Sequence, residues 1–522
     1  MRLAALDMGS NSFHLLVVQV REDGGFLPLT REKEMLRLGD VVTRHGYVTP
    51  EAEDRAVAAV RRLCGLADAA GAEELVVCAT SAIREAANSG EVVDRIREET
   101  GVRARVIGGL EEARLIFRAV QASILIDPGP ALALDLGGGS LEVMVGDARA
   151  LHWARSAKLG VARLTAELVR HDPASTGDRK RLEKRVDEVL EPLAGEVAAF
   201  APRMVVGTSG TFCTLARMIE ARRSGTLPTS VNQLTVTRAE IDALADELAS
   251  SSVAARRRLP GLDERRADLI LAGAVIAQGA LRTFAGEGLT VGDWALREGM
   301  VLDAIDRHDP TEFSGDPRAI RRASVLSLCR RCGWDEVHSS QVARLALQLF
   351  DGTAGLHRLG GADRELLEHG ALLHDIGEHV SPEGHHKHTA YLIEHGRLRG
   401  FEPAEVAVLA TLGRYHLRGD PKAVFEPFGR LDTDRQRQVR VLVGLLRVAD
   451  GLDRSHAATV GDLDVMAGRP SIRIVVGAHG DPELEVWGAR RKLDLLERAL
   501  GRPVMVDAAH PGTLARQRLR GA

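Results

Sequence analysis

Two stretches of the chain repeat one arrangement of apolar and polar positions. The first is Asp7-Met-Gly-Ser-Asn-Ser12 and the second is Asp135-Leu-Gly-Gly-Gly-Ser140, and each lies between two apolar runs. Apolar runs bounded by glycine and polar residues predict strands joined by tight turns. When Asp7 is set on Asp135, both stretches have the pattern D-x-G-x-x-S. The pattern therefore predicts an internal duplication, with one hairpin in each half.

The second turn carries the clearest candidate chemistry. Gly137, Gly138 and Gly139 lack the Cβ atoms that keep an anion away from the backbone, so their N–H groups can converge on a phosphate. Asp135 and Glu142 add two carboxylates, which suit a divalent metal that neutralises phosphate charge. A glycine run alone can be just a flexible turn. Its repetition with a carboxylate, a serine and flanking strands indicates a cleft that holds phosphates from two sides.

The rest of the first 306 residues alternates between strand and helix patterns. Thr49-Pro-Glu51 predicts a helix start with Thr49 as N-cap. Arg84 and the loop Gly207-Thr-Ser-Gly-Thr211 follow predicted strands, where open α/β sheets bind ligands. That loop suits phosphate, and an ordinary Ser/Thr-rich turn explains it equally well. The further predicted strands and helical stretches are strands at 26–38, 74–78, 102–107, 204–206 and 289–291, and helices at 161–199 and 237–286.

The second half of the chain changes character after a polar linker, His308–Pro317. The pattern is all-helical from 318 to about 456. Strands are then predicted at Ser471–Val476 and Glu483–Trp487, followed by a helix at 488–500 and a strand at Pro503–Val506. These boundaries predict four domains: two α/β lobes at 1–122 and 123–306, a helical domain at 318–456 and a small α+β unit at 460–510.

Composition limits the function classes. A chain of 522 residues with 69 basic and 73 acidic residues is too long for one core and carries a net charge of only −4. We therefore expect a globular protein without nucleic acid as a partner. No apolar run has the length of a membrane span and no secretory leader is present, so we expect a cytoplasmic protein without a membrane partner. Cys329 and Cys332 lie in a helical pattern and are expected to be reduced thiols.

Three local basic clusters leave two interpretations open. They are Arg179–Arg185, Arg256–Arg258 and Arg265–Arg266. Most such runs are solvated helix faces, and a minority line the path of a polyanion.

Six motifs follow one another along roughly residues 1–305: Asp7–Ser12, Ala79–Arg84, Gly109–Ile116, Asp135–Glu142, Gly207–Thr211 and Ala295–Gly299. Together they closely resemble the exopolyphosphatase / guanosine pentaphosphate phosphohydrolase (Ppx/GppA) family. The resemblance implies a duplicated, two-lobed, actin-like α/β fold of the sugar kinase and heat-shock chaperone type. It also implies inorganic polyphosphate as substrate, with guanosine pentaphosphate as the alternative, and a homodimer as one possible assembly.

The resemblance also assigns roles to residues. Phosphoanhydride hydrolysis needs a positioned water, charge neutralisation and in-line geometry. Glu112 is the residue implied to orient or deprotonate the water, and Asp135 and Glu142 are implied to hold Mg²⁺. Asp7 either organises the metal or stabilises its own turn, and Arg297 with Glu298 has a structural ion pair as an equal alternative. The phosphate-binding residues implied are Asn11, Ser12, Arg84, Gly137, Gly138, Gly139, Ser140, Ser209, Gly210 and Thr211.

The helical region resembles a second type of domain, the HD-type metal phosphohydrolase. The resemblance implies a metal site made by His338, His374, Asp375 and Asp450, with Mn, Fe or Zn as the candidate ions. His388 and His416 could complete a second site. By contrast, His385 and His386 are expected to be exposed or to support the ligands from behind. Whether this domain is catalytic, binds metal only or is a structural remnant stays open.

Two functions of different class fit the sequence. One is a Mg²⁺-dependent hydrolase that removes terminal phosphate from polyphosphate, and the other is a regulatory module that binds polyphosphate or an alarmone. Glu112 beside two metal carboxylates favours the enzyme, because a pure binding protein has no use for a water-activating base.

Overall fold

The computed structural model describes residues 1–21, 25–308, 316–468 and 470–509. The chain divides into two compact units between Ile320 and Arg321. The predicted linker, His308–Pro317, lies mostly outside the described residues. The finer division into four domains stays a prediction.

The first unit contains two sheets and the helices that cover them. Its first half consists of β1 (Arg2–Met8), β2 (Ser12–Val20), β3 (Phe26–Met35), α1 (Leu38–His45), α2 (Pro50–Ala69), β4 (Glu74–Ala79), α3 (Ser81–Glu85), α4 (Ser89–Thr100), β5 (Arg105–Val106) and α5 (Gly109–Ser123). Its second half begins with β6 (Ala131–Leu136), β7 (Leu141–Gly146), β8 (Leu151–Ala157), α6 (Val161–Leu168), α7 (Thr176–Ala198), β9 (Met204–Thr208) and α8 (Ser209–Ser224). It ends with β10 (Leu234–Thr237), α9 (Arg238–Ser250), α10 (Val253–Arg256), α11 (Ile270–Thr283), β11 (Gly288–Val291) and α12 (Leu296–His308).

The two sheets have the same strand order, which supports the predicted duplication. The first sheet is ordered β3-β2-β1-β4-β5, and the second contains β8-β7-β6-β9-β11 with β10 added at its edge. In both sheets the first three strands form antiparallel pairs, and the next two add in parallel. Every residue of β6 and β7 is buried, as continuous apolar runs predict for central strands. The structure thus fits the two-lobed, actin-like α/β fold.

Local signals in the sequence predict several elements correctly. The α2 helix begins at Pro50, and the Thr49 hydroxyl accepts a hydrogen bond from the N–H of Ala52 at 3.4 Å. Other elements differ from the prediction. The strand expected at 102–107 is only two residues long, and β8 lies where no strand was predicted. Strand β8 has a mixed burial pattern because it is the outer partner of β7, so its apolar signal is weak.

Two helices link the two halves of this unit. Helix α5 follows the first sheet in sequence but packs against β7 and β8 of the second sheet, and α12 packs against α5 and β1. The approach of α12 to α5 requires a glycine, because a methyl group at Gly299 would overlap the carbonyl oxygen of Leu115. This close contact fixes the start of α5, which carries Glu111 and Glu112.

The second unit is helical and ends in a three-stranded sheet. Its helices up to the sheet are α13 (Ala319–Arg331), α14 (Glu336–His357), α15 (Gly361–Leu373), α16 (His385–His395), α17 (Pro403–Tyr415), α18 (Glu426–Gly429) and α19 (Thr433–Gly451). The remaining elements are β12 (Val460–Ala467), β13 (Ile472–Ala478), α20 (Glu483–Arg490), α21 (Asp494–Leu500) and β14 (Val504–Ala508). Within the described residues of both units, no helix combines the length and the apolar composition needed to cross a membrane.

The strand predicted at Glu483–Trp487 is wrong, because this segment is helix α20. Its alternation of acidic and apolar residues matches a strand over five residues, but the buried positions Val486 and Ala489 are three apart, which is helical spacing. The partner of β13 is instead β12 on one side, with β14 on the other. The strands predicted at 471–476 and 503–506 are present as β13 and β14.

Replacing Gly299 with alanine should destabilise the first unit. The added methyl group would collide with backbone rather than with a flexible side chain, and overpacking of this kind typically lowers the free energy of unfolding by about 1–3 kcal/mol. The matched control is Gly195→Ala in α7, where no atom lies within 4 Å of the added group. That change should be neutral or stabilising by about 0.5–1 kcal/mol. Equal thermal unfolding midpoints for the two variants would contradict this account of the α5–α12 contact.

Candidate functional site

A cleft of about 240 Å³ lies between the two hairpin turns of the first unit. The turn after β1 and the turn after β6 both line it, and they approach each other closely. A Cβ atom on Gly138 would lie 3.2 Å from Cβ of Asn11, and one on Gly139 would overlap the Ser81 hydroxyl. Close packing against Asn11 and Ser81 therefore favours glycine here, as does the space that an anion needs.

The hairpins place their carboxylates at matching positions. Asp7 lies opposite His14 in the first hairpin, and Asp135 lies opposite Glu142 in the second. The Asp135 carboxylate accepts a 2.5 Å hydrogen bond from the Thr208 hydroxyl.

Four carboxyl groups come together at this cleft. Asp7, Glu112 and Asp135 line it, and Glu142 does not line it but lies opposite Asp135 in the hairpin. Glu112, Asp135 and Glu142 are buried, and Asp7 is partly buried. Burial raises the pKa of Asp7 and of Asp135 to about 7 each. Burial and the neighbouring carboxylates raise the pKa of Glu142 well above its usual range, although a 2.8 Å hydrogen bond from Ser156 opposes this shift. A divalent cation would stabilise the ionised forms and remove the mutual repulsion. Oxygen donors of this type fit Mg²⁺, and Oδ1 of Asp7 has no hydrogen-bond partner among the described residues.

Glu112 lies in the first turn of α5 and lines the same cleft. Burial raises its pKa, while Arg84 opposes this by donating a hydrogen bond of 2.9 Å to Oε2. The Arg84 guanidinium also donates to the carbonyl of Ile107 at 2.7 Å. The sequence predicts Arg84 as a phosphate clamp, but Arg84 lies beside Glu112 and is not among the residues that line the cleft. Its contacts suit a role in positioning Glu112.

The other predicted phosphate-binding residues line the cleft. Helix α8 begins at Ser209, so its first N–H groups face the cavity, where helix N-termini favour anions. The Ser209 hydroxyl donates to the carbonyl of Leu136 at 2.7 Å and joins this loop to the second hairpin. The residues concerned are Asn11, Ser12, Gly137, Gly138, Gly139, Ser140, Ser209, Gly210 and Thr211.

Two arginines on the cleft wall were not predicted as site residues. Arg266 packs over Gly210, and Arg297 lies 3.3 Å from Nδ1 of His14. A guanidinium nitrogen of Arg297 also lies 3.9 Å from Oε1 of Glu298, the partner expected from the sequence. The Arg297–Glu298 ion pair is therefore longer than the contact between Arg297 and His14. Arg266 belongs to a basic cluster and Arg297 to the motif Ala295–Gly299. Neither of these sequence features shows whether an arginine lines the cleft or lies on an exposed helix face.

A hydrogen-bonded chain runs from Arg297 into the cleft. Burial, with Arg297 and Lys33, lowers the pKa of His14 well below its usual range, so the imidazole is neutral. Arg297 can only donate, so Nδ1 of His14 accepts and Nε2–H donates to the Ser12 hydroxyl at 2.7 Å. The Ser12 hydroxyl proton is then available to a phosphate oxygen.

The basic clusters are mostly neutralised by their surroundings. Arg256 is only 2% exposed and donates to the carbonyls of Leu248 and Ala267, so the structure contradicts an exposed anion-binding role for it. Arg179 pairs with Glu183 and Asp246. The solvated helix face is therefore the better interpretation of the cluster at 179–185.

The second unit contains two groups of metal-ligand side chains. One group is His338, His374 and Asp450, and the other is Asp375, His385 and His416. In each group the ligand atoms lie within 4.8 Å of one another. The four residues predicted as one metal site are thus divided between two groups.

His385 occupies the place that the sequence analysis gave to His388. It lies at the first residue of α16 and faces His416, with 3.1 Å between the two Nε2 atoms. The expectation that His385 is exposed or behind the ligands is wrong. His388 lies one helical turn later and belongs to neither group.

The Asp375 carboxylate faces both groups. Its Oδ2 lies 3.6 Å from Nε2 of His338 and 3.3 Å from Nε2 of His374. Its Oδ1 lies 3.3 Å from Nε2 of His385 and 3.1 Å from Nε2 of His416. A tetrahedral site with metal–nitrogen bonds of about 2.0–2.1 Å has ligand–ligand edges of about 3.3–3.4 Å, so the second group has the dimensions of such a site.

The other nitrogen of each histidine is held by a hydrogen-bond acceptor. Nδ1 of His374 and of His416 donate to the backbone carbonyls of Ala371 and Gly413, at 2.6 and 2.8 Å. The acceptors for His385 and His338 are the carbonyl of Pro382 and the carboxylate of Asp453, at 3.0 and 2.8 Å. This arrangement turns Nε2 of each imidazole inward, and Nε2 is the atom that each histidine could offer to a metal ion.

Several of these inward atoms have no other partner. Nε2 of His338, Nε2 of His374 and Oδ1 of Asp375 are buried without a hydrogen-bond partner among the described residues. Burial lowers the pKa of His338, but Asp375 and Asp453 outweigh that effect and raise the pKa to about 9. The cluster therefore favours a positive charge, which a proton or a metal ion can supply, and its donors fit a transition metal.

Comparisons with known proteins agree with the fold and the motifs. The family model described as "Ppx/GppA phosphatase family" matches residues 16–308, and "Ppx/GppA phosphatase, domain III" matches residues 320–468. The resemblance of the latter region to HD-type domains stays a prediction. Exopolyphosphatase 1 of Mycobacterium leprae is 37% identical over 307 residues, which are 59% of this chain and 90% of that protein. Exopolyphosphatase 1 of Mycobacterium tuberculosis is 36% identical over 307 residues, with 59% and 89% covered.

Solved structures give the same result. An exopolyphosphatase from Cytophaga hutchinsonii has a TM-score of 0.56 at 30% identity and covers 59% of this chain and 98% of its own. The Ppx/GppA family member from Aquifex aeolicus has a TM-score of 0.51 at 27% identity, with 60% and 99% covered. Since the first family model matches more than half of the chain, the chain belongs to the Ppx/GppA phosphatase family and is a phosphoanhydride hydrolase, as its motifs predicted.

Proposed function

We propose that the protein is an exopolyphosphatase that removes terminal phosphate from inorganic polyphosphate in the cleft of the first unit. The observation that carries this proposal is the buried Glu112 carboxylate, which lines a glycine-rich cleft together with Asp135. The buried Glu142 carboxylate lies opposite Asp135 in the same hairpin. The names of the similar proteins from Mycobacterium support polyphosphate as the substrate.

In this proposal the two glycine turns and the start of α8 bind the phosphates through backbone N–H groups. Asp135 and Glu142 would hold Mg²⁺, which neutralises phosphate charge when bound. Glu112 takes a proton from the attacking water, and its raised pKa brings it closer to the range that suits a general base. Arg84 keeps Glu112 in one orientation through the 2.9 Å hydrogen bond.

Arg266 and Arg297 supply positive charge on the wall that faces the glycine turns. Their guanidinium groups suit phosphates that follow the terminal one, because arginine binds phosphate with a planar pair of donors. Arg297 also orients the Ser12 hydroxyl through His14.

Guanosine pentaphosphate is the alternative substrate, since it presents the same terminal phosphoanhydride. A regulatory protein that only binds polyphosphate or an alarmone is the alternative without catalysis. Comparing phosphate release from polyphosphate and from guanosine pentaphosphate by one preparation distinguishes all three. Release from neither substrate with Mg²⁺ present would contradict the proposed enzyme.

The second unit is proposed to bind a transition metal, Mn, Fe or Zn, through its histidine groups. The inward lone pairs of His374 and His416, together with the Asp375 carboxylate, support this proposal. A homodimer and a cytoplasmic location stay predictions.

Replacing Glu112 with glutamine should abolish hydrolysis and leave polyphosphate binding nearly unchanged. The amide keeps the size of the side chain and one acceptor oxygen for Arg84, but it cannot take a proton from water. Loss of a general base costs about 10²–10⁴ in rate. The matched control is Glu111→Gln, since Glu111 pairs with Arg105 and does not line the cleft. Wild-type turnover in Glu112→Gln would exclude Glu112 as the base.

Asp135→Asn and Glu142→Gln should each shift the Mg²⁺ concentration for half-maximal activity upward by at least about tenfold. Tenfold is the lower end of the loss seen when residues that merely support metal ligands are changed. Glu188→Gln, an equivalent change on the exposed side of α7, is the control and should leave the titration unchanged. Superimposed Mg²⁺ titrations for all four proteins would place the metal elsewhere.

A His374→Ala/Asp375→Ala double variant should lose the transition metal that co-purifies with the wild-type protein. Elemental analysis measures the loss, and polyphosphate hydrolysis is assayed on the same samples. His385→Ala should also lose metal, whereas His388→Ala should retain it, because only His385 contributes to a ligand group. If wild type contains no more transition metal than the double variant, the site is a structural remnant.

A further inference from the structure

Lys492 brings a positively charged side chain to the histidine ligand groups of the second unit. Its ammonium group forms an ion pair with the carboxylate of Asp450, a member of the His338 group. Both side chains are largely buried, at 14% and 12% exposure, so this contact is shielded from water. Asp450 is therefore already paired with a positive charge supplied by the chain itself.

The position of Lys492 follows from close packing of α20 on α19. A Cβ atom on Gly451 would lie 2.8 Å from Cα of Ala489, and a Cβ atom on Gly488 would overlap the carbonyl oxygen of Gly451. The two glycines let the helix backbones touch, which brings the segment between α20 and α21 to the C-terminal end of α19. Lys492 lies in that segment, and Asp450 lies in the last turn of α19.

The two ligand groups consequently differ in the charge that surrounds them. In the His338 group, a divalent ion on Asp450 would have to displace the ammonium of Lys492 or lie beside it. In the other group, Oδ1 of Asp375 lies within 3.3 Å of two imidazole nitrogens, those of His385 and His416. The second group is therefore the better cation site.

We propose that the second unit holds one resident transition-metal ion, bound by Asp375, His385 and His416, and that Lys492 excludes a second ion from the His338 position. This inference rests on the metal binding proposed above and adds which group is loaded. Centres that act with two metals place the ions about 3.5–4 Å apart, usually with shared ligands. Asp375 is placed to be shared, so Lys492 is the residue that determines whether the centre holds one ion or two.

The main experiment counts ions in metal-stripped full-length protein reloaded with Mn²⁺. The His374→Ala/Asp375→Ala variant is the baseline, which subtracts Mn²⁺ bound in the cleft of the first unit. Above that baseline, wild type should bind one Mn²⁺ ion per chain, and the Lys492→Gln variant should bind two. The variant alone should show the spin-coupled signal of paired Mn²⁺ by electron paramagnetic resonance. The Lys492→Arg variant keeps the positive charge and should bind one Mn²⁺ ion per chain. The control Lys422→Gln removes an exposed lysine of the same unit and should also bind one.

A second set of variants leaves Lys492 in place and tests the same assignment. Wild type should lose its ion on His385→Ala and keep it on His338→Ala. Two ions in wild type, one ion in a folded Lys492→Gln variant, or loss of the ion on His338→Ala would each overturn the role of Lys492. If neither wild type nor Lys492→Gln binds more Mn²⁺ than the baseline, metal binding by this unit is itself wrong.

Discussion

The crowding of four carboxyl groups at one cleft, three of them buried, is the constraint on which the first unit depends. Glu112, Asp135 and Glu142 are buried and Asp7 is partly buried. Beyond the effect of burial, the Glu112 carboxylate raises the pKa of each of the other three. A cluster of buried carboxylates is tolerated only where cations or hydrogen-bond donors compensate its charge. Arg84 and Arg297 supply part of this compensation. A bound divalent metal would supply the rest.

The four carboxylates come together only because helices cross between the two repeats. Helix α5 packs on the second sheet, so Glu112 comes close to Asp135 and Glu142 although it is joined in sequence to the first sheet. Helix α12 packs on the first sheet and α5, and it brings Arg297 to His14. Neither repeat contains the complete site. The contact of Gly299 with Leu115, which fixes one helix on the other, is therefore as important for the chemistry as the turns are.

Features that depend on neighbouring residues could be predicted from the sequence. Features that depend on contacts between distant residues were predicted wrongly or missed. The hairpins and the Thr49 cap follow from local spacing, and so does the repeated D-x-G-x-x-S pattern. Glu483–Trp487 alternates like a strand, but its contact with α19 makes it a helix. The choice of His385 over His388, and the placement of Arg266 over Gly210, depend on how separate helices pack. No spacing rule in a single sequence contains that information.

The two candidate centres apply the same electrostatic principle with different donors. The cleft gathers carboxylate oxygens and hydroxyl groups, which match a hard ion such as Mg²⁺ that binds few protein ligands and keeps contact with phosphate oxygens. The second unit gathers imidazole nitrogens whose outer N–H groups are fixed by carbonyls, a set that favours softer transition metals. Donor type alone would therefore direct different ions to the two units of one chain, so metal bound by one centre need not compete with metal bound by the other.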